Sequence, residues 1–406
     1  MSMHKTNIFL VALAMMLVGG AASATPYDTL RSIAGTYNVF LLGNLGTASA
    51  PYTADSQLPI AVAGNAYLNN VGIDTNGSGS AALIVGGNLS QTSGSDSGNV
   101  FVGGNANISS GGGINNLTVG GNLTQSGGTV GGNVFVGGAA ANLSSGVTIN
   151  GSLSLTAANS TLNASSNGGN SPSNVYVTAS TQVNDPSYWT TPKTSGGPTA
   201  PTAPLDVFGS STDIQNASMA LAAATATQNI SSSGGAINIT LTSSGSNIID
   251  LTVPNGATIT GINITSAAGV TPTGVIINVN GNNLNFSGGS FNLGSLSNSQ
   301  VLFNFSNATA ITLSSLAFNG SLLAPLATVN FSNGQIDGAL IADNFAGTAQ
   351  FNSGGGFSDP LPTYVASGGS QVASTPEPAS VAVFGVGLVG LGLLGRRRLA
   401  LARAGK

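Results

Sequence analysis

The chain has 406 residues, 41% of them apolar and only 5% charged, with 59 glycines and no cysteine. The missing cysteines exclude disulfides, thiol catalysis, zinc–thiolate sites and iron–sulfur clusters, and the plentiful Val, Ile, Leu and Thr exclude the composition of a disordered chain. Six of the eight basic residues (Lys5, Arg396, Arg397, Arg398, Arg403 and Lys406) lie in the end segments, so that between Pro26 and Thr375 eleven aspartates face only Arg31 and Lys193, a net charge of −9; nucleic acid, which needs clustered Lys and Arg, is excluded as a partner.

Residues 1–24 read as a secretory signal peptide. His4 and Lys5 make a short positive start, residues 8–18 an apolar stretch, and Ala22-Ser23-Ala24 a small-x-small cleavage site at Ala22 and Ala24. The alternative is an N-terminal anchor, for which the stretch is short. Residues 25–36 form a lead-in.

A phrase then recurs every 17 residues: Val85-Gly86-Gly87-Asn88, Val102-Gly103-Gly104-Asn105, Val119-Gly120-Gly121-Asn122 and Val136-Gly-Gly-Ala139. A looser copy stands at Val62-Ala-Gly-Asn65 and a shifted one at Val130-Gly-Gly-Asn133. A fixed short period marks a solenoid. Paired glycines would each weaken a helix by about 1 kcal/mol, whereas β-branched and aromatic flanks suit short strands stacking at about 4.8 Å. The expectation over 84–139 is thus a β-solenoid, with glycine supplying left-handed backbone at a corner. Asn88, Asn105 and Asn122 would stack as a hydrogen-bonded ladder, a structural role that competes with ligand binding.

Repetition fades after residue 150. Residues 190–204 hold four prolines and read as an exposed loop or linker. Trp189 just before it is either a packing anchor or a sugar platform. Residues 212–228 read as an α-helix capped by Asp213, with Met219, Leu221 and the alanines 222–224, together with Ile214 and Ala217, making an apolar stripe. Short strands return at 236–241, 247–253, 257–264, 274–279, 300–305, 310–313, 320–324, 327–331 and 338–342. The expected fold is all-β: a right-handed β-helix or solenoid-like body, one α-helix packed alongside, an N-terminal signal helix and a C-terminal transmembrane helix.

After a linker at 358–374, the end has three parts in order: Pro376-Glu377-Pro378, an uncharged stretch beginning at Ala379, and Arg396-Arg397-Arg398. Residues 379–395 just suffice to span a bilayer, with the arginines and the tail 401–406 on the cytoplasmic side. This arrangement over 375–400 resembles the PEP-CTERM sorting signal of Gram-negative bacteria. The resemblance implies processing near Pro376–Pro378 by an exosortase-type enzyme, after an inner-membrane intermediate, in a species that makes extracellular polysaccharide. A permanent single-span anchor is the alternative.

The body resembles the choice-of-anchor A family over residues 37–357. The opening Tyr37-Asn-Val-Phe-Leu-Leu-Gly43, the Gly-Gly-Asn phrases, Pro204-Leu-Asp-Val-Phe208, Val275-Ile-Ile-Asn-Val-Asn-Gly281, Val301-Leu-Phe-Asn-Phe305, Phe318-Asn-Gly-Ser-Leu-Leu-Ala-Pro325 and Gly334-Gln-Ile-Asp-Gly-Ala-Leu-Ile-Ala342 carry it in order. The family is regarded as an adhesive domain borne on different surface anchors, with no catalytic residues to carry over.

The residues by themselves also argue against catalysis. The one histidine, His4, leaves with the signal peptide, and the one glutamate, Glu377, belongs to the sorting signal, so no base serves a nucleophile. Asp337 and Asp343 would be too far apart on a straight strand to share a glycosidic bond. Calcium is the one credible cofactor, at the oxygen-rich turns around Asp74, Asn76 and Asp96, where simple Asx turns are the competing reading; otherwise no metal or cofactor is expected. The function expected is adhesion or matrix building at the cell surface or in the extracellular matrix, towards polysaccharide or another surface. Ice or crystalline-surface binding is an alternative that regular Thr-x-Thr ranks would favour, and only Thr258–Thr260 and Thr240–Thr242 show them. A polysaccharide lyase or hydrolase is the third.

Overall fold

The computed structural model describes residues 25–77, 81–164, 172–184, 192–357 and 361. The signal peptide 1–24, nearly all of the linker, the sorting signal with its span at 379–395, and Trp189 lie outside the described residues. Among the described residues no helix is long and apolar enough to cross a membrane.

Each coil turns through up to three short strands, and every strand pairs in parallel with its counterpart on the next coil. The first face begins in apolar runs, Val39–Leu41, Ile60–Val62, Ala81–Val85 and Asn99–Val102, and continues through more polar strands, Leu117–Val119 and Ser152–Leu155 among them, to Asn174–Tyr176. Continuous runs are the mark of strands covered on both sides. Val39, Leu41, Ile60, Val62, Leu83 and Val85 point into the solenoid. Phe40, Ala61, Ile84 and Phe101 point outward into a second apolar layer beneath two helices. The second face alternates instead. In Ala66–Leu68, Leu89–Gln91 and Ala106–Ile108 the outer residues of each triplet are buried and the middle one is more exposed, as expected for a sheet wetted on one side.

The helices are α1 (Pro26–Thr36) and α2 (Ser211–Ala223). The expected single helix is therefore joined by another inside the lead-in, and its start is encoded locally. Thr25 caps α1 in a reciprocal box with Asp28, and Pro26 opens the first turn. Helix α2 begins at Ser211, and Asp213 is not its cap: it lies in the first turn, where it accepts a hydrogen bond from Thr29 of α1 at 3.4 Å. It stops at Ala223, short of the expected 228, because Gln228–Ser231 is captured as a strand against Ile249–Thr252. Buried amides hold it down. The Asn304 Nδ2 donates to Ser218 O and to Asn278 Oδ1, both at 2.9 Å, and Asn278 Nδ2 donates to Leu221 O at 2.9 Å and to Asp250 Oδ1 at 3.0 Å.

The coil order departs from the chain order. From Val39–Leu41 the coils stack in sequence towards Asn174–Tyr176, with Lys193, expected in a loop, adding one further bridge to Tyr176. The chain then passes through α2 and starts again at Gln228–Ser231, stacking coil on coil until Leu340–Gly347 pairs with the other edge of Val39–Leu41. The two halves are one solenoid joined at its middle. The seam is hydrogen-bonded at all three faces: Leu340 N–H to Asn38 O at 2.7 Å, Phe345 N–H to Asn44 O at 3.0 Å, and Phe351 N–H to Asp55 O at 2.9 Å.

Two further expectations are corrected. The strands read at 320–324 and 327–331 are one, Ser321–Ser332, which turns a corner where its register shifts between Ala324 and Thr328. The glycines of the repeat have ordinary negative φ. They are required by space: a Cβ on Gly104 would lie 2.6 Å from Asn88 Oδ1 and 2.7 Å from Gly87 O of the coil below. Left-handed backbone occurs at a different corner, where Gly94 and Gly128 have φ of 126° and 92°.

Candidate functional site: an amide groove across the coils

The corner between the first and second faces carries the repeat asparagines. Asn105 N–H donates to Asn88 Oδ1, and Asn122 N–H to Asn105 Oδ1, both at 2.8 Å. The ladder also runs the other way, through Asn88 to Asn65 and Asn65 to Asn44 at 2.8 Å, and across the seam from Asn44 to Asn344 at 2.7 Å. It ends at the Ala140 N–H on Asn122 Oδ1, 2.9 Å, since Ala139 has no amide to extend it. Each Oδ1 thus accepts from a neighbouring coil; Asn88 Nδ2 also donates to Asn65 Oδ1 at 3.2 Å and Asn44 Nδ2 to Asn344 Oδ1 at 3.4 Å, and each amide NH2 carries two donors. The shifted Asn133 copy belongs to another corner, where Asn133 N–H donates to Asn116 Oδ1 at 2.8 Å and Asn116 Nδ2 to Asn99 Oδ1 at 2.8 Å.

Parallel to this ladder runs the row of outward residues at mid-strand on the second face: Tyr67, Ser90, Asn107, Thr124, Asn142, Asn163 and Asn184, in register from coil to coil. Its far end is a second amide ladder, with Asn184 Nδ2 to Asn163 Oδ1 and Asn163 Nδ2 to Asn142 Oδ1 both at 2.7 Å. Between ladder and row lie two adjoining hollows of about 410 and 370 Å³. The first is lined by Asn88, Asn105, Asn107, Thr124 and Asn142, the second by Asn44, Asn65, Thr328 and Asn344, and Tyr67 lines both. No charged side chain lines either. The Gly-Gly-Asn spacing exposed one wall of this groove. The other wall, and Tyr67, were missed; the alternation of Ala66-Tyr67-Leu68 was the available signal.

The remaining candidates are dispersed. Asp96 is fully buried and faces the interior, where it accepts from Gln91 Nε2 at 3.0 Å. Asp74 is buried too, while exposed Asn76 donates to Ser353 Oγ at 3.2 Å. The three do not form an outward-facing loop of ligands, and no cluster of three or more His, Cys, Asp or Glu occurs among the described residues. Asp337 ends the strand Gln335–Asp337 and accepts from Asn352 and Gln335, whereas Asp343 lies beyond a corner in Leu340–Gly347. They share no straight strand. Thr240 and Thr265 form one rung at 3.3 Å, and Thr258 and Thr260 do not extend it.

Two family models match the chain. One, described as "Putative Ice-binding-like adhesive domain", covers residues 30–120 and 115–353, and the other, the PEP-CTERM protein-sorting motif, covers 374–398. No curated protein matches. The sorting motif implies exosortase-type processing. The first match takes in most of the chain and the second its end: the chain belongs to the ice-binding-like adhesive domain family and is an exported surface protein carrying a PEP-CTERM sorting motif.

Proposed function

We propose that the solenoid is a non-catalytic adhesive module that binds an uncharged extracellular polysaccharide along the second-face groove. The observation that carries this reading is the groove itself: amides and hydroxyls at coil-to-coil spacing, no charge, and Tyr67 at the junction of its two hollows. Sugar hydroxyls both donate and accept, and so match Asn, Ser and Thr side chains. Half-buried Tyr67 adds an amphipathic surface that loses little entropy on binding. A polyanionic glycan fits poorly. The described body is acidic, and Lys193, spent on Asn174 Oδ1, lies at the far end of the stack. Display follows from processing at Pro376–Pro378 after a membrane-held intermediate of the exporting cell.

Affinity electrophoresis of the full chain in gels of neutral and of uronate-rich polysaccharide tests the proposal. Retardation is expected in the neutral polymer alone, with no loss of polymer length. Tyr67→Ala should weaken it about five- to thirtyfold, since aromatic contacts of this kind are commonly worth about 1–2 kcal/mol. A double Asn105→Ala, Asn107→Ala variant should weaken it on both walls at once. Equal retardation of wild type and these variants, or shortening of the polymer, would overturn the reading. The amide ladder Asn142–Asn163–Asn184 favours a second reading, adhesion to an ordered or crystalline surface. Growth inhibition of ice crystals by the wild type, abolished by Asn163→Leu, would move the site to that end of the face.

A further inference from the structure

We infer that Asp96 is a proton-binding site, its carboxyl group held in the acid form as one half of a two-hydrogen-bond pair with the Gln91 amide. Gln91 ends the strand Leu89–Gln91 on the second face and Asp96 ends Gly94–Asp96 on the third, so that both point inward across one corner. Asp96 is 0% exposed and Gln91 1%. One hydrogen bond between them is present, Gln91 Nε2 to Asp96 Oδ2 at 3.0 Å. The two atoms left over, Asp96 Oδ1 and Gln91 Oε1, are both buried acceptors with no partner. On this hydrogen-bonded pair two buried acceptors lack one donor, and a single proton on Oδ1 would supply it, Oδ1–H donating to Oε1 to close the ring. An ionised carboxylate would instead leave a buried charge and two buried orphan oxygens, each costly.

Burial raises the proton affinity of Asp96 to about 7, against the pull of the Gln91 bond in the other direction. The strands stacked on its own, Val71–Ile73 and Gly111–Ile114, contain no titratable residue. Asp74 follows the first of them, and Asp55 takes the Gly72 N–H at 2.6 Å; neither is a cause of the shift. An unfolded aspartate loses its proton near the ordinary value of 3.8, the folded one near 7, so the folded state holds an extra proton between them. Its stabilising effect is complete at acid pH and is lost as pH rises through about 7. Within that window the folded-to-unfolded ratio falls up to about tenfold per pH unit. Ser90, the outward neighbour of Gln91, lines the groove, so the coil that loosens lies beneath the proposed binding face.

Asp96→Asn tests the assignment, because the asparagine NH2 donates to Gln91 Oε1 without any proton. Unfolding midpoints of the full chain in urea are measured from pH 5 to 8. The wild type should lose stability across this range more steeply than the variant, and the variant should be the more stable at pH 8. The carboxyl 13C shift of Asp96 in the wild type should titrate near pH 7. Parallel pH profiles, or a carboxyl ionised throughout, would overturn the proposal. So would stabilisation of the wild type by calcium that the variant lacks, which would assign the orphan oxygens to a cation. If the variant does not fold, the carboxyl shift decides alone.

Discussion

Replacing Tyr52 with alanine is expected to destabilise the protein by about 4 kcal/mol in equilibrium denaturant unfolding, as deletion of a buried aromatic does. The reason lies in where Tyr52 sits. It belongs to the first coil, yet its ring packs at 5.8 Å edge-on to Phe345 and at 5.6 Å against Phe351, both of the last coil. It is fully buried, and its hydroxyl's one hydrogen is shared between Ala349 O at 3.1 Å across the seam and Asp55 O at 3.2 Å. Burial, aided by Asp55, holds that hydroxyl well above the usual phenol range, so it stays a donor at any working pH. Tyr52→Phe keeps the ring and removes one hydrogen bond, and should cost about 1 kcal/mol. A loss of cooperativity in Tyr52→Ala, with two transitions in place of one, is the further sign expected if the seam couples the halves. An alanine variant within about 1 kcal/mol of the wild type would show that the backbone bonds alone hold it.

Truncation of Phe318 should be of similar size, about 4 kcal/mol. The C-terminal half fills its interior with aromatic rings stacked along the coils. Phe318 lies 4.7 Å from Phe291 and 4.9 Å from Phe303, and is fully buried. Its removal leaves a cavity with rings on two sides, and the parallel ladders around it fix the backbone so that the space cannot collapse. Phe318→Leu keeps most of the volume and should lose clearly less. The N-terminal half, Tyr52 at the seam apart, is filled among the described residues mostly by Val, Leu, Ile and Ala. Heat-capacity or urea unfolding of both variants separates the cases, and equal losses for Leu and Ala would argue against a cavity mechanism.

Much of this protein was legible in its residues because the information was local and periodic. A 17-residue spacing of Gly-Gly-Asn specifies a stacked coil and its ladder, since a Cβ at Gly104 or Gly121 would strike the coil below. Unbroken runs such as Val39-Phe40-Leu41 specify a sheet covered on both sides, and a PEP-CTERM motif is read from a short linear segment. The lead-in helix was missed although its capping box was present in Thr25-Pro26-Tyr27-Asp28. Its apolar face is short, and only docking onto Phe40 and its neighbours completes it.

What tertiary structure alone decided is non-local. No period or composition states that the last coil pairs with the first, because that pairing joins residues some 300 apart, as Asn44 and Asn344 are. The same closure extends the asparagine ladder across the seam and builds the groove around Tyr67 from both halves of the chain. Burial likewise had to be seen rather than read. Asp96 stands in a Ser- and Gly-rich turn that suits solvent or a cation, and one step of strand alternation turns it inward onto Gln91 instead. A side chain's face in a strand reverses with a shift of one residue, and among short strands separated by glycine corners only the stacking of whole coils determines which face it takes.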